Sequence, residues 1–288
     1  MVETTTHTHR VSGGLRVSWA GATDRGRRRE NNQDAFLARY PLFVVADGMG
    51  GHAGGEIASQ RTISRLDAVV ESGEVSIEAI EQALIHAVED IRTHPDTTDE
   101  GTGTTLTGVV LEAGDEPRWV ALNIGDSRVY LKRGDRLAQV TTDHSVVQEL
   151  IAAGKISPEE ADGHPYSNVI TRAVGAGELA APDYVAVDLQ PEDVLVVCSD
   201  GLTKELTDYG ILHFLRENPD PGTAVDAMME AALENGGRDN VTLIVVRVDA
   251  DEEASSESAA DAESTSDTAA DASTGAAESS STDDGSGN

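Results

Sequence analysis

The chain has 288 residues, enough for one large domain or two small ones, and its 39% hydrophobic content can supply a core. It carries 52 acidic and 21 basic residues, a net charge of −31. This charge argues against nucleic acid as a partner, because proteins bind phosphate backbones with an excess of basic side chains. No apolar run of about 18 residues could span a membrane, and the polar N-terminus does not resemble a signal peptide, so a cytoplasmic protein is expected.

The predicted elements follow one another in an order that is informative about fold class. Strand-like apolar runs lie at 15–20, 42–47, 105–111, 119–124, 128–133, 184–189, 194–199 and 241–248. Spacing near 3.6 predicts helices over 55–71, 76–92, 145–153, 205–216 and 223–235. Two helices follow the second strand and the next strands come in hairpin-like succession, which argues against a doubly wound parallel sheet. The pattern predicts an α+β fold with two antiparallel sheets flanked by helices.

Composition divides the chain once. Residues 251–288 contain 11 acidic residues and no basic one, which predicts a disordered acidic tail. Residues 1–14 are predicted to be a flexible N-terminus and residues 15–250 a single domain. Residues 1–250 keep a net charge of −20, and only three of the basic residues are lysines. This pattern favours a halophilic archaeal source over an ordinary acidic protein with an acidic tail.

Aspartates recur where predicted strands begin or end. The set is Asp34 in ENNQDAF, Asp47 after LFVVA, Asp126 after WVALNIG, Asp200 after VLVVCS and Asp239 before VTLIVV. If these strand ends meet at one rim, the carboxylates repel each other unless a cation lies among them. Asp-Gly pairs are also common turns, but the set as a whole favours Mg²⁺ or Mn²⁺, which take oxygen ligands.

Other phosphate-binding patterns fit less well. The run from Gly48 to Ala53 matches G-x-G-x-x-[GA], but the carboxylate of Asp47 beside it would repel a pyrophosphate. Cys198 precedes Lys204 by six positions, a near miss to the C-x5-R loop of cysteine phosphatases, and lysine cannot clamp a phosphoryl group bidentately. With no P-loop and no plausible side-chain nucleophile, metal-bound water is the expected nucleophile.

Seven motifs together resemble one family. They are RENNQDA, DGMGGHAGGE, GTGTTL, NIGDSRVY, HPYSNVITRAVG, CSDGLT and GGRDNVTLIVV, in that order. The chain resembles the metal-dependent PP2C (PPM) serine/threonine protein phosphatases, most of all the minimal bacterial and archaeal type, over about residues 15–248. The resemblance implies a four-layer α-β-β-α sandwich with a binuclear metal centre at one edge.

The resemblance also implies metal ligands. Asp47 would bridge two divalent ions, Mn²⁺ or Mg²⁺, and the carbonyl of Gly48 would complete the second. Asp200 and Asp239 would bind the first ion. Asp126 matches the aspartate that helps to hold a third, weaker ion in microbial members.

Further residues would act around the metals. Asp34 would hold metal-bound waters, beside Gln33 where the family often has glutamate. Arg29 would clamp the phosphate, within a basic spot that includes Arg25, Arg27 and Arg28.

Two features near the predicted site carry weaker assignments. His52 could help to protonate the leaving oxygen, although Met49 stands where some members have a histidine. Residues 145–175 correspond to a mobile flap beside the active site.

The implied activity is hydrolysis of phosphoserine and phosphothreonine in proteins, on substrates of a serine/threonine kinase. A water or hydroxide bridging two divalent metals would attack, without a phosphoenzyme, and the protein would be a monomer. Two alternatives stay open: a phosphatase that acts on a small phosphorylated metabolite, and a non-catalytic relative that binds phosphoproteins.

Overall fold

The computed structural model describes residues 4–50, 53–97, 101–112, 114, 117–161, 163–177 and 181–251. The strands are β1 (His7–Val11), β2 (Leu15–Asp24), β3 (Asp34–Arg39), β4 (Leu42–Met49), β5 (Gly103–Thr104), β6 (Leu106–Glu112), β7 (Arg118–Ile124), β8 (Arg128–Arg133), β9 (Arg136–Gln139), β10 (Asp183–Asp188), β11 (Val194–Cys198) and β12 (Val241–Ala250). The helices are α1 (Gly54–Ser72), α2 (Ile77–Thr93), α3 (Val146–Ala152), α4 (Pro158–Ala161), α5 (Asp200–Thr203), α6 (Asp208–Glu217) and α7 (Pro221–Asn235).

The strands form two antiparallel sheets. One has the order β1-β2-β12-β11-β8-β9, and the other has the order β10-β7-β6-β4-β3, with β5 paired to β4. The pairing of β2 with β12 joins the start of the domain to its last strand, from Leu15 opposite Ala250 to Asp24 opposite Val241. The described residues from 4 to 250 belong to one compact unit.

Alternation along the strands explains the four layers. In β11, Leu195 and Val197 enter the core between the two sheets, whereas Val194 and Val196 face the cluster that contains α6 and α7. In the other sheet, Val44 packs in the cluster that contains α1 and α2. Successive side chains of a strand point to opposite faces, so strands covered on both faces read as continuous apolar runs.

Local signals fix where the long helices begin. The hydroxyl of Ser76 accepts a hydrogen bond from the backbone N–H of Ala79 at 3.1 Å and caps α2. The Asp220 carboxylate caps α7 in the same way, with Pro221 in its first turn, so the helix begins two residues before the predicted start at residue 223. Among the described helices, none combines the length and the apolar character needed to cross a membrane.

The N-terminus differs from its prediction. Residues 1–14 were expected to be flexible, but His7–Val11 form β1 and pair with β2, with His7 opposite Trp19. Four of the five β1 side chains are exposed, and the apolar signal of a strand is therefore missing from HTHRV. An edge strand needs one neighbour only, and this one is held mainly by its backbone ladder and by the stacking of His9 on Tyr40.

Candidate metal centre

The predicted aspartates lie at one edge of the sandwich, where strands of both sheets end. Asp34 begins β3 and lies directly opposite Asp47 of β4. Asp200 begins α5 immediately after β11, Asp239 immediately precedes β12, and Asp126 lies in the turn between β7 and β8. Burial raises the pKa of Asp47, and the charges of the other four aspartates raise that pKa further. The strand-end pattern in the sequence therefore corresponds to one cluster of carboxylates.

The cluster is tied together across the two sheets by hydroxyl groups. Oδ2 of Asp34 accepts hydrogen bonds from the hydroxyls of Ser199 at 2.8 Å and Thr242 at 2.7 Å. Asp34 belongs to one sheet. Ser199 directly follows β11 and Thr242 is the second residue of β12, and both of these strands belong to the other sheet. These two hydroxyl residues were not predicted as site residues, although each adjoins a strand-end motif.

Close backbone contacts explain two of the glycines in the motifs. A Cβ on Gly48 would lie 2.1 Å from the carbonyl oxygen of Gly55, so the end of β4 can meet the start of α1 only without a side chain. A Cβ on Gly201 would lie 1.8 Å from the carbonyl oxygen of Asn240. The second contact brings the start of α5, which carries Asp200 and Gly201, against the loop that carries Asp239. The glycine-rich stretch after Asp47 therefore serves packing against a helix.

Asn240, next to Asp239, ties its loop to the loop between β2 and β3. Its Oδ1 accepts from the backbone N–H of Gln33, and its Nδ2 donates to the carbonyls of Arg25 and Asn31, all at 2.9 Å. The side chain is buried, and these bonds satisfy it completely. Sequence reasoning treated this asparagine only as part of a motif.

Burial and mutual repulsion shift the carboxylates toward their neutral forms. Burial, with the charges of Asp200 and Asp239, raises the pKa of Asp34 to about 6, against the opposing hydrogen bonds from its two hydroxyl donors. Burial, with the charge of Asp200, raises the pKa of Asp126 to about 7. Burial also raises the pKa of Asp47 well above its ordinary value. Such a cluster strongly favours a cation among its members.

Two cationic side chains reach the cluster. Nζ of Lys204 lies 2.5 Å from Oδ2 of Asp200 and 2.9 Å from Oδ2 of Asp239. Arg29 binds Asp239 bidentately, with Nε 2.7 Å from Oδ1 and Nη2 2.9 Å from Oδ2. Burial acts to raise the pKa of Asp239, but Lys204 and Arg29 outweigh it and hold that pKa below its ordinary value.

A family profile described as protein phosphatase 2C matches residues 23–270, most of the chain. The chain belongs to the protein phosphatase 2C family. It is 38% identical to the serine/threonine protein phosphatase PstP of Mycobacterium tuberculosis over 250 residues, which are 81% of this chain and 45% of that protein. It is 34% identical to the serine/threonine phosphatase stp of Listeria innocua over 237 residues, which are 78% of this chain and 93% of that protein.

Solved structures of the family agree with the fold. The crystal structure of PstP from M. tuberculosis superposes with a TM-score of 0.73 at 37% identity, covering 81% of this chain and 99% of that one. The PstP catalytic domain in complex with two manganese ions gives a TM-score of 0.71 at 36% identity, covering 82% and 99%. The predicted protein phosphatase 2C sandwich of two antiparallel sheets flanked by helices is thereby confirmed.

The two relatives differ in length. This chain spans 45% of the length of the M. tuberculosis protein and 93% of the length of the Listeria innocua protein. Both of these relatives are bacterial, and they give no support to the predicted halophilic archaeal origin.

Not every predicted site residue lies where its expected role needs it. Gly48 is buried beside Asp47, and its N–H donates to the carbonyl of Gln33 at 3.1 Å. Arg29 reaches the cluster, but its guanidinium holds an aspartate and half of its side chain is exposed, at 51%. His52 lies outside the described residues.

The predicted flap is joined to the turn that carries Asp126. The N–H of Gly125 donates to Nδ1 of His144 at 3.1 Å, and the N–H of His144 donates to the carbonyl of Gly125 at 2.8 Å. Just beyond this anchor, Ser145 and Ile170 form a bridge that closes the base of the segment from 145 to 175. Two side chains of the segment, Tyr166 and Val169, are exposed. His144 was not predicted, because a single histidine outside a motif gives no signal.

The donor set of the cluster suits a hard divalent cation, although it is not arranged around one. Within the described ranges, no three histidine, cysteine, aspartate or glutamate side chains converge as a formed metal site. Other contacts occupy part of these carboxylates. One oxygen each of Asp200 and Asp239 is paired with the ammonium of Lys204, and one oxygen of Asp34 accepts hydrogen bonds from hydroxyl groups. Oδ1 of Asp34 and Oδ1 of Asp200 are buried without a partner. Buried carboxylate oxygens without donors are the ligands that Mg²⁺ and Mn²⁺ take.

A cysteine mechanism is disfavoured. Cys198 is fully buried, and burial raises the pKa of its thiol to about 12. A thiol of this kind is protonated at neutral pH and cannot act as a nucleophile. Cys198 belongs to the hydrophobic cluster that contains residues of α6 and α7, which is the place of a structural thiol.

Proposed function

We propose that this chain is a metal-dependent phosphatase that hydrolyses phosphoserine and phosphothreonine in proteins. The observation that carries the proposal is the set of five aspartates at one edge of a protein phosphatase 2C fold, two of which have buried oxygens without donors. Relatives named as serine/threonine phosphatases, over 78–82% of this chain, support the reaction class.

The chain would hold two divalent cations, Mn²⁺ or Mg²⁺. Asp47 and the carbonyl of Gly48 lie at the end of β4. Asp200 begins α5, and Asp239 lies on the loop that α5 contacts through Gly201. Bound divalent cations would lower the pKa of water, which would supply a nucleophile that the side chains lack, and would neutralise charge on the phosphoryl group. Asp126 adds a fourth carboxylate beside these three.

Other residues would position water and substrate. Asp34 is fixed through Oδ2 by two hydroxyl donors, which leaves Oδ1 as an acceptor for water at the site. Arg29 is half-exposed, so its guanidinium can turn from Asp239 to the phosphoryl oxygens of a substrate. The protonation of the leaving oxygen, for which His52 is the predicted helper, stays a prediction.

The remaining features belong to the same proposal. Residues 15–250 would form the phosphatase domain, with the segment from 145 to 175 as a flap and residues 251–288 as an acidic appendage. The protein would act as a monomer in the cytoplasm on products of a serine/threonine kinase. The M. tuberculosis relative, which is named as a serine/threonine protein phosphatase, supports phosphoproteins as the substrate class.

The decisive experiment measures phosphate release from a phosphothreonine peptide with Mn²⁺, with Mg²⁺ and with excess EDTA. Turnover with metal and none with EDTA is expected, and Asp47→Asn should abolish it while leaving the circular dichroism spectrum unchanged. Full turnover in EDTA would contradict the proposal. Hydrolysis of small phosphate esters without any of the peptide would favour the metabolite alternative, and binding without turnover would favour the non-catalytic one.

A further inference from the structure

A cleft of about 500 Å³ opens beside β10, the last strand of its sheet. One wall is the start of β10, with Asp183 and Val185, and another is the loop that follows β9, with Thr141 and Thr142. Asn123 of β7 lines the cleft as well. The lining includes none of the proposed metal ligands.

The strand register shows which side chains of this sheet point toward the cleft. In the pairing of β7 with β10, Asn123 lies opposite Asp183 and Ala121 lies opposite Val185. Residues that are opposite each other, and residues two apart along one strand, point to the same face of a sheet. Ala121 is buried in the core between the two sheets. The other three side chains therefore point toward the same inter-sheet space, where it opens beside β10.

Two features of this face indicate that a bound group completes it. Val185 is 40% exposed, although it points toward the space that Ala121 helps to fill as a buried residue. Nδ2 of Asn123 donates to the carbonyls of Gly125 and Thr142, both at 3.0 Å, which fixes the orientation of this buried amide. Its Oδ1 has no hydrogen-bond partner among the described residues. A buried acceptor of this kind lowers stability until a donor reaches it.

Asp183 can accept further hydrogen bonds at the exposed part of the cleft. Its side chain is 56% exposed, and each of its oxygens accepts from one donor, Nη1 of Arg172 at 2.7 Å and Nε2 of His144 at 3.1 Å. A carboxylate has about four acceptor sites, so each oxygen keeps capacity for a second donor.

The chemistry of the lining suits a cation on an aliphatic stem. The described lining contains no lysine, arginine or histidine, and residues 1–250 carry a net charge of −20. Pro182 and Val185 offer apolar contacts for a stem, while Asp183 and Asn123 offer acceptors for an ammonium or a guanidinium group. A lysine or an arginine side chain has this combination.

We propose that this cleft binds a lysine or arginine side chain of the phosphoprotein substrate. The inference rests on the proposed function and adds a specificity element to it. Asn123 and Asp126 are three positions apart in the chain, so their Cα atoms lie at most about 11 Å from each other. An extended peptide with its phosphorylated residue at the metal centre would then place a residue roughly three positions away at the cleft. Among the described strands β10 pairs only with β7, so its other edge can pair with such a peptide.

Matched phosphothreonine peptides test the proposal. Lysine stands three residues before or three residues after the phosphothreonine, and the reference peptides carry norleucine there, which keeps the stem and lacks the ammonium. With Mn²⁺, the wild type should show about tenfold higher kcat/KM for lysine at one of the two positions. Val185→Lys brings an ammonium of the chain itself to the cleft and should abolish this difference. Ile85→Lys, at an equally exposed apolar position of α2, is the matched control and should keep it.

The methyl resonances of Val185 give a readout that needs neither metal nor turnover. In EDTA, an unphosphorylated lysine peptide should shift these resonances in the wild type, and its norleucine counterpart should not. Equal kcat/KM for lysine and norleucine at both positions, or a lysine preference that survives in Val185→Lys, would overturn the proposal and leave the phosphatase activity intact. Absence of turnover of every peptide would instead overturn the proposed function, and the methyl shifts alone would then decide whether the cleft binds a basic side chain. The same shifts decide if Val185→Lys does not fold.

Discussion

Asp34 and Asp47 are direct neighbours across the ladder between β3 and β4, so two carboxylates stand side by side at the end of one strand pair. Like charges in such a cross-strand pair destabilise a sheet. The pair is retained here together with three further aspartates, and the pKa of Asp47 is raised by burial and then by Asp34. Repulsion built into strand ends in this way is typical of a site that binds a cation and is not explained by folding alone.

The first prediction concerns metal removal and pH. In EDTA, the free energy of unfolding should fall as pH rises from about 4 to about 7. Asp34 and Asp126 have a pKa of about 6 and about 7 in the fold, against 3.8 as the ordinary value. Between these values the folded state binds more protons than the unfolded state, so acid stabilises it and each rise in pH weakens it.

Chemical denaturation at several pH values in EDTA measures this slope. With saturating Mn²⁺ the slope should flatten or reverse, because metal binding requires ionised carboxylates. Asp126→Asn removes one of the titrating groups and should make the slope in EDTA shallower. A stability in EDTA that rises steadily from pH 4 to pH 7 would contradict the environment described for these aspartates.

The second prediction separates the aspartates by role. Asp47→Asn, Asp200→Asn and Asp239→Asn each remove a formal charge from the proposed pair of ions, so turnover of a phosphopeptide should fall by orders of magnitude. Asp126→Asn should keep the pair, with a smaller loss of activity. A Mn²⁺ titration of turnover across the four variants makes the comparison. Near-normal activity of Asp200→Asn at low Mn²⁺ would show that the strand-end assignment is wrong.

The third prediction tests the close contact between the start of α5, which carries Asp200, and the loop that carries Asp239. Gly201→Ala places a Cβ 1.8 Å from the carbonyl oxygen of Asn240, which must shift, and we expect a loss of about 1–3 kcal/mol in stability. Gly210→Ala is the matched control, since α6 offers its Cβ no atom nearer than 3.7 Å. That control should be neutral or stabilising, by up to about 1 kcal/mol. Urea denaturation of both variants is the measurement, and equal stabilities would refute the contact.

Much of the fold was predictable because each central strand is apolar on both faces. Runs such as VLVVC in β11 are read correctly from sequence since one set of alternate side chains enters the inter-sheet core and the other meets helices. The edge strand β1 was missed because its exposed side chains carry no apolar pattern. The short β9, with three exposed residues in RLAQ, was missed for the same reason.

The aspartates of the candidate site could be predicted from the sequence, whereas the position of its lysine could not. Aspartates beside strands and glycines form local patterns that a reader of the sequence can find. The position of Lys204 depends on the one-turn helix α5, which is too short for periodicity to reveal, so its contact with Asp239 across 35 positions is visible only in the structure. The hydroxyls of Ser199 and Thr242 are hidden likewise, because a hydroxyl beside a strand has no specific meaning in a sequence.

The fourth prediction concerns the turn before β3 that carries Arg27 and Arg28. Ten arginines of the described chain pair with carboxylates. Among the described residues, the guanidinium groups of Arg27 and Arg28 have no such partner, although the chain is strongly acidic. They adjoin Arg29, and the N–H of Arg27 donates to the carbonyl of Gly237 near the site. We expect this turn to favour substrates with acidic residues beside the phosphorylated one.

Two phosphothreonine peptides that differ only in flanking Glu or Gln residues test the preference. The wild type should show a higher kcat/KM for the acidic peptide at low salt, and the double variant Arg27→Gln/Arg28→Gln should lose most of that difference. Hydrolysis of p-nitrophenyl phosphate should be unchanged in the variant, since this ester has no acidic flanking residues for the turn to bind. Arg136→Gln, at an exposed position of β9, is the control. If the double variant kept the preference for the acidic peptide, another surface of the protein would be responsible for that preference.

The last prediction is that salt stabilises the domain. Residues 1–250 carry a net charge of −20, and repulsion among surface charges reaches about 10 Å at 0.1 M ionic strength but only about 3 Å at 1 M. The melting temperature in EDTA should therefore rise with KCl from dilute buffer to molar concentration. Removing residues 252–288 should change it little, because that segment holds no apolar residue larger than alanine and so contributes no core.

Calorimetric scans of the full chain and the shortened one across a KCl series make the measurement. A melting temperature that is flat over the series would show that the ion pairs of the ten arginines already balance the surface, and would remove the physical basis for a halophilic interpretation.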